Sequence, residues 1–122
     1  MTKELQDTIG DRPNTYLNNY GLSDVGGVFK YNDGRQAYVG GEAPVESGER
    51  EFEVKTLDWY VGEMGITKID FLKIDTEGYD YNVIKGCGKM LSKIKYIQFE
   101  DWDLKTNSQI FELLLGYNLY TI

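Results

Sequence analysis

The spacing of apolar residues changes several times along the second half of the chain, and each change predicts a new element. Over residues 57–64 the apolar residues recur every three or four positions, which is the spacing of one helical face. Thr56 is placed to cap the start of this helix, and Gly65 is placed to end it. Further helices are predicted over residues 79–85 and 110–115, each followed by a glycine.

Strands are predicted where the apolar spacing differs from that of a helix. Residues 51–55 alternate charged and apolar side chains, which is typical of a half-exposed strand. Residues 69–75 have apolar side chains on both faces, as expected for a strand that is covered on both sides in a parallel sheet. Residues 96–100 and 117–122 are predicted to form two later strands. This alternation of strands and helices predicts an α/β fold with a mostly parallel sheet.

The N-terminal third of the chain is predicted to be β-rich. Strands are expected over residues 15–22 and 28–31, after a short polar helix over residues 2–9. Residues 40–50 have no periodicity and are expected to form a loop. A chain of this length has room for a single core, so we expect one domain over residues 1–122.

Composition narrows the range of possible functions. The 122 residues include 13 Lys and Arg against 20 Asp and Glu, a net charge of −7, so neither nucleic acid nor anionic membrane lipid is an expected partner. The chain has no histidine, which excludes His-dependent nucleophilic catalysis and His-based zinc sites. The lone Cys87 and the lack of a long apolar run predict a soluble, cytoplasmic protein without an internal disulfide.

The sequence FLKIDTEGYD over residues 71–80 places carboxylates where a buried strand ends. Asp75 and Glu77 follow the apolar run, and Asp80 comes after a glycine and a tyrosine. In open α/β sheets, ligands bind beyond the carboxyl ends of the strands. Glu100 ends the next strand along the chain. If the two strands are neighbours, their ends lie roughly 5 Å apart.

Three interpretations of these carboxylates remain open from the residues alone. Asp75 and Thr76 could cap the following helix, with Glu77 complementing its dipole. The oxygens could hold Mg²⁺ or Ca²⁺, but the spacing matches no EF-hand loop and no metal ligands are assigned. A carboxylate could also face a substrate and orient or deprotonate a hydroxyl group.

Several motifs in a fixed order resemble those of a known family. They are TLD at 56–58, IDFLKIDTEGYD at 69–80, VIKG at 83–86 and IQFE at 97–100. Together they resemble the C-terminal half of an FkbM-type methyltransferase, most clearly over residues 50–122.

The resemblance implies a Rossmann-like class I enzyme. Such enzymes move a methyl group from S-adenosylmethionine, typically to a hydroxyl oxygen, and a glycan or small-molecule acceptor is implied here. It also implies that Asp75 lies at the mouth of the active site and that Glu77 serves with it as a catalytic residue. The residues implied on the acceptor side are Lys73, Gly78, Tyr79 and Glu100.

The chain departs from the family where the cofactor would bind. Class I enzymes hold S-adenosylmethionine on a glycine-rich loop after their first strand, and no apolar strand here is followed by such a loop. Gly26–Gly27 and Gly40–Gly41 lie too far from any predicted buried strand to serve. No cofactor-binding residue is therefore assigned, and we expect a truncated sheet that lacks the family's first two strands.

Loss of two central strands would leave strand edges and apolar helix faces uncovered. We expect exposed apolar faces at Leu57, Val61, Ile110 and Leu114, and therefore a homo-oligomer or a complementing chain. The function predicted is part of a methyltransferase that association completes, with poor cofactor binding by the isolated chain. The alternative is a non-catalytic, methyltransferase-like binding or interaction module.

Overall fold

The computed structural model describes Asp7 and residues 12–31, 50–76, 78–100 and 104–120. Nine elements follow one another in these residues. They are β1 (Gly21–Leu22), β2 (Gly27–Tyr31), β3 (Arg50–Lys55), α1 (Leu57–Met64), β4 (Ile69–Lys73), α2 (Asp80–Lys85), a 3₁₀ helix (Gly88–Lys93), β5 (Ile94–Gln98) and α3 (Leu104–Leu113).

The strands β4 and β5 are parallel neighbours, as the sequence predicts. Phe71 lies opposite Tyr96, and Lys73 lies opposite Gln98. The N–H of Ile74 donates to the carbonyl of Gln98 at 2.9 Å, which extends the pairing one residue beyond β4. Because α2 and the 3₁₀ helix connect the two strands, this part of the chain is a compact strand–helix–strand unit.

The other described strands form a second sheet in the order β1-β3-β2. The pair β1 and β3 is parallel, whereas β2 and β3 are antiparallel. The part of the chain that the structure describes therefore contains two small sheets, where the sequence predicted one mostly parallel sheet. The mixed α/β class is confirmed.

The helix α1 has the caps that its sequence predicts. The N–H of Trp59 donates to the Thr56 hydroxyl at 3.0 Å, so Thr56 caps the first turn. Gly65 has a φ of 69°, and its N–H donates to the carbonyl of Val61. This left-handed conformation favours glycine and ends the helix.

A close backbone contact joins the first sheet to α2. A Cβ added at Gly86 would lie 2.1 Å from the carbonyl oxygen of Ser23, so only glycine fits at this position. Two hydrogen bonds hold the segments beside it: Ser23 N–H to the Lys55 carbonyl at 2.9 Å, and Asp58 N–H to the Gly86 carbonyl at 3.1 Å. The loops after β1, β3 and α2 therefore meet at one place.

The core consists of two clusters of buried side chains. The first includes Leu57, Val61 and Cys87, and the second includes Ile84, Ile110 and Leu114. Leu22, Leu72, Leu91 and Ile97 pack against both clusters. The two clusters are therefore continuous through residues that they share.

The expected exposure of Leu57, Val61, Ile110 and Leu114 is wrong, because all four are buried within this one chain. Leu57 and Val61 pack against Cys87, which lies between α2 and the 3₁₀ helix, and against Met90 of the 3₁₀ helix. The α2 residues Val83 and Ile84 cover the other two.

The prediction that β4 is covered on both faces is also wrong for the described residues. Phe71 and its cross-strand neighbour Tyr96 are 56% and 57% exposed. On the opposite face, Leu72 and Ile97 pack against the core. Apolar residues on both faces do not by themselves tell which neighbour covers each face.

Two predicted strands are shorter than expected or absent. In the segment 15–22, only Gly21–Leu22 pairs with β3. Residues 117–120 form no strand, and 121–122 lie outside the described residues. Tyr117 is tied down by its side chain instead, because its hydroxyl lies within hydrogen-bonding distance of the Leu91 carbonyl, at 2.6 Å, and of the Ile94 carbonyl. The helix predicted over residues 2–9 is described only at Asp7, which is helical.

None of the described helices has the length and apolar character that crossing a membrane requires.

Candidate functional site

The carboxyl ends of β4 and β5 are joined by one buried carboxylate, that of Asp80. Its Oδ1 accepts hydrogen bonds from the backbone N–H of Thr76, at 3.2 Å, and from the Thr76 hydroxyl. Its Oδ2 accepts a hydrogen bond from the backbone N–H of Glu100 at 2.9 Å. Thr76 follows β4 and Glu100 follows β5, so the carboxylate of Asp80 bridges the two loops that leave the sheet.

The hydrogen bonds explain how a carboxylate can be buried at this place. Asp80 is 2% exposed, and an unpaired carboxylate with so little access to water would be strongly destabilising. Three donors converge on its two oxygens, and hydrogen bonds to an ionised acceptor are stronger than neutral ones. The same bonds satisfy two backbone N–H groups where the strand ladder ends.

The turn between β4 and α2 is fixed by Thr76 and Gly78. The Thr76 hydroxyl accepts a hydrogen bond from the N–H of Tyr79 at 2.9 Å. Gly78 has a φ of 112°, a conformation that residues with a Cβ rarely adopt. The backbone conformation of this turn therefore favours a glycine at position 78.

Asp75 lies beside this turn with its side chain exposed. The described hydrogen bonds and ion pairs do not involve its carboxylate, because Thr76 and Asp80 make the local bonds of the turn. Thr76 bonds the N–H of Tyr79, which precedes α2, so the capping interpretation describes the contacts of neither Thr76 nor Asp75. The carboxylate of Asp75 is left accessible at the carboxyl end of β4.

The other residues predicted for the site occupy different positions. Lys73 is exposed at the end of β4, opposite Gln98. Glu100 is exposed, and its backbone is held by Asp80. Glu77 lies outside the described residues. Within the described ranges, no group of three or more His, Cys, Asp or Glu side chains could hold a metal ion.

Tyr79 connects the site to the first sheet. Its ring lies edge-on to that of Phe29, with 5.8 Å between the centroids, and Phe29 packs in the same way on Phe52 at 5.5 Å. Burial raises the pKa of the Tyr79 hydroxyl, and the carboxylate of Asp24 raises it further. The hydroxyl is therefore neutral at physiological pH and can donate a hydrogen bond.

A polar group around Asp24 was not predicted from the sequence, which indicated only a turn at Ser23–Asp24. The Ser23 hydroxyl donates to Asp24 Oδ1 at 3.0 Å, and Asn82 Nδ2 lies 3.5 Å from the same oxygen. Asn82 belongs to α2 and is 58 residues away in the chain. No local pattern could have indicated this pairing.

Comparison with known families gives one match. The family model described as the methyltransferase FkbM domain matches residues 2–118. The match extends well beyond residues 50–122, where the motifs resemble this family most clearly, and includes most of the N-terminal third. Searches among curated proteins and among solved structures found no match to this chain.

Proposed function

This chain belongs to the FkbM methyltransferase family, and on that premise we propose that it forms the acceptor side of a methyltransferase site. The reaction proposed is methyl transfer to a hydroxyl oxygen of a glycan or small metabolite. The observation that carries the proposal is the accessible Asp75 carboxylate at the carboxyl end of β4, beside a loop that Asp80 holds in place.

The role proposed for Asp75 is to hold the acceptor hydroxyl and to accept its proton as the oxygen becomes methylated. A carboxylate within hydrogen-bonding reach of a hydroxyl can act as a general base. Lys73 ends β4 and Glu100 follows β5, so we propose that both contact polar groups of an acceptor. Glu77 and the hydroxyl of Tyr79 complete the proposed acceptor side.

The methyl donor proposed is S-adenosylmethionine, which would supply an electrophilic methyl group. The described residues offer no clear cradle for it. Gly26 lies just before β2 and Gly27 begins it, and β2 is an antiparallel strand at the edge of the first sheet, not a buried parallel strand followed by a turn. Gly40–Gly41 lies outside the described residues. We therefore assign no residue of this chain to the cofactor.

A second copy of this chain is the partner that we propose. Parallel sheets are usually covered on both faces, yet Phe71 and Tyr96 leave an apolar patch on the outer face of β4 and β5. Residues 68–98 carry six Lys against four Asp and Glu, whereas the rest of the chain carries seven Lys and Arg against sixteen Asp and Glu. The apolar patch therefore belongs to a segment with net positive charge. In a second copy, the residues outside this segment carry net negative charge, so the two charges are complementary.

A reducing compartment such as the cytoplasm is part of the same proposal. Cys87 is buried and unpaired, which is typical of proteins that are kept reduced.

The proposal is tested by measuring transfer of a labelled methyl group from S-adenosylmethionine to a panel of sugars and small hydroxyl compounds. Asp75→Asn should lower the rate on the order of 100-fold or more, because the general base is lost. Asp70→Asn is the matched control, since Asp70 is also exposed and lies near the opposite end of β4. Its rate should equal that of the wild type.

Equal rates in the wild type and Asp75→Asn would overturn the role of Asp75. A wild-type chain that transfers no methyl group and binds no S-adenosylhomocysteine in calorimetry would overturn the enzymatic proposal. That result would favour a non-catalytic binding module, for which the missing cofactor cradle in the described residues is the supporting observation.

A further inference from the structure

Asp80 has an environment that its position in the sequence does not predict. A carboxylate in the first turn of a helix usually faces solvent and complements the helix dipole. Here both carboxylate oxygens are instead engaged outside the helix, with Thr76 on one side and Glu100 on the other. Thr76 and Glu100 belong to loops that leave different strands.

The Asp80 carboxylate connects the two segments just beyond the point where the pairing of β4 and β5 ends. The hydrogen bond from Ile74 N–H to the Gln98 carbonyl is the last one described between the two strand ends. One residue beyond Ile74 is Asp75, and two residues beyond Gln98 is Glu100. The Asp80 bridge spans this position, so it continues the connection between the strands after the ladder has stopped.

We infer that Asp80 is a positioning residue, whose carboxylate holds the loop that carries Asp75 in a fixed position against the loop that carries Glu100. The inference rests on the proposed function, because an acceptor site needs these two loops at a fixed distance from each other. Asp80 itself is buried, so the role inferred for it is indirect. It acts through Thr76, whose N–H and hydroxyl both donate to it, and through the backbone N–H of Glu100.

Substitution by Asn separates this role from simple burial of a polar group. Asn has the size of Asp, but one of its oxygens is replaced by an NH₂ group that can only donate. Whichever way the amide is oriented, one of the groups around it loses its acceptor. The bridge is broken on one side, and the side chain still fills the same space.

The first measurement is amide hydrogen exchange by NMR in the full chain, which requires no enzymatic activity. In Asp80→Asn we expect exchange at the Glu100 or Thr76 amide to accelerate by about tenfold or more, because a hydrogen bond to a charged acceptor is lost. The amide of Leu72 in the β4 ladder should change much less. Unchanged exchange at both Glu100 and Thr76 in a folded Asp80→Asn variant would overturn the inference.

A milder pair of variants keeps the test decisive if Asp80→Asn does not fold. The Thr76 hydroxyl donates to Asp80 and accepts from the N–H of Tyr79. Thr76→Val removes both bonds and keeps the shape of the side chain, whereas Thr76→Ser keeps the hydroxyl and both bonds. If the carboxylate joins the loops, Thr76→Val should shift the amide resonance of Glu100, which lies 24 positions later in the chain, and Thr76→Ser should leave it in place. An unchanged Glu100 resonance in Thr76→Val would overturn the inference.

The second measurement distinguishes positioning from general stability. In an active preparation, Asp80→Asn should lower kcat by about tenfold or more, with little change in the affinity for S-adenosylhomocysteine. Equal losses in kcat and in affinity would overturn the positioning role. If the wild type transfers no methyl group, the proposed function fails, and the amide measurements alone decide whether Asp80 joins the loops.

Discussion

At the scale of single residues, Gly86 is a position where an added Cβ would make a very short contact. The carbonyl of Ser23 occupies the space that any side chain at Gly86 would need. The backbone of Gly86 is right-handed, with a φ of −71°, so its requirement for glycine comes from contact and not from conformation. From the sequence, this glycine was predicted only to end a helix. Its contact with the backbone of Ser23 is visible only in the folded structure.

Gly86→Ala should destabilise the protein by about 3 kcal/mol, because the added Cβ forces two backbone segments apart. Gly62→Ala is the matched control, since nothing lies within 4 Å of a Cβ added there. That control should gain about 0.5–1 kcal/mol from the better helix propensity of alanine inside α1. Urea denaturation of both variants measures the two effects. A Gly86→Ala variant as stable as the wild type would mean that the two segments lie further apart.

At the scale of elements, the predictions succeeded where the interacting residues are close together in the sequence. The caps of α1 lie within four residues of the groups they bond, so Thr56 and Gly65 could be identified from the sequence. The pairing of β4 with β5 also followed from a short connection. The bridge through Asp80 to Glu100 spans 20 positions, and nothing near Asp80 indicates its second partner. The exposure of Phe71 likewise depends on which element packs on the outer face of the sheet. The spacing of apolar residues along β4 does not contain that information.

The outer face of β4 and β5 leads to a prediction about association. Light scattering should give the wild type a mass well above the 14.0 kDa of one chain. Phe71→Ser should shift the mass towards the monomer, because the apolar patch that it shares with Tyr96 is lost. Leu115→Ser is the control, since Leu115 is 82% exposed at the far end of the chain.

A wild-type monomer at micromolar concentration would contradict self-association. Recovery of a larger species only after another polypeptide is added would point to a complementing chain instead.

At the scale of the whole molecule, stability should depend on pH through the buried Cys87. Burial raises the pKa of this thiol from 9.0 to about 12, and the charge of Asp58 adds to the effect. The native state therefore keeps the proton over a range in which the unfolded chain releases it. Stability is fully present below pH 9.0 and is lost as the pH rises towards about 12.

Urea denaturation at several pH values between 8 and 11 should show this loss, at up to about 1.4 kcal/mol per pH unit from the one thiol. Cys87→Ala should show a shallower dependence, because the thiol no longer contributes, whereas groups such as Tyr117, whose pKa is also raised, still do. Equal slopes in the two proteins would indicate that the thiol gains access to water.

The contact between Ser23 and Gly86 also has a consequence for how the protein is made. A ribosome adds Gly86 sixty-three residues after Ser23, so the backbone contact between them can form only after β1, β2 and β3 have all been synthesised. The strand–helix–strand unit from β4 to β5 spans only residues 69–98 and closes through near neighbours. The strand–helix–strand unit therefore closes through residues that are synthesised one after another, whereas the contact of the first sheet depends on residues that are synthesised later. On the nascent chain, Ser23 therefore lacks this contact until translation has passed α2.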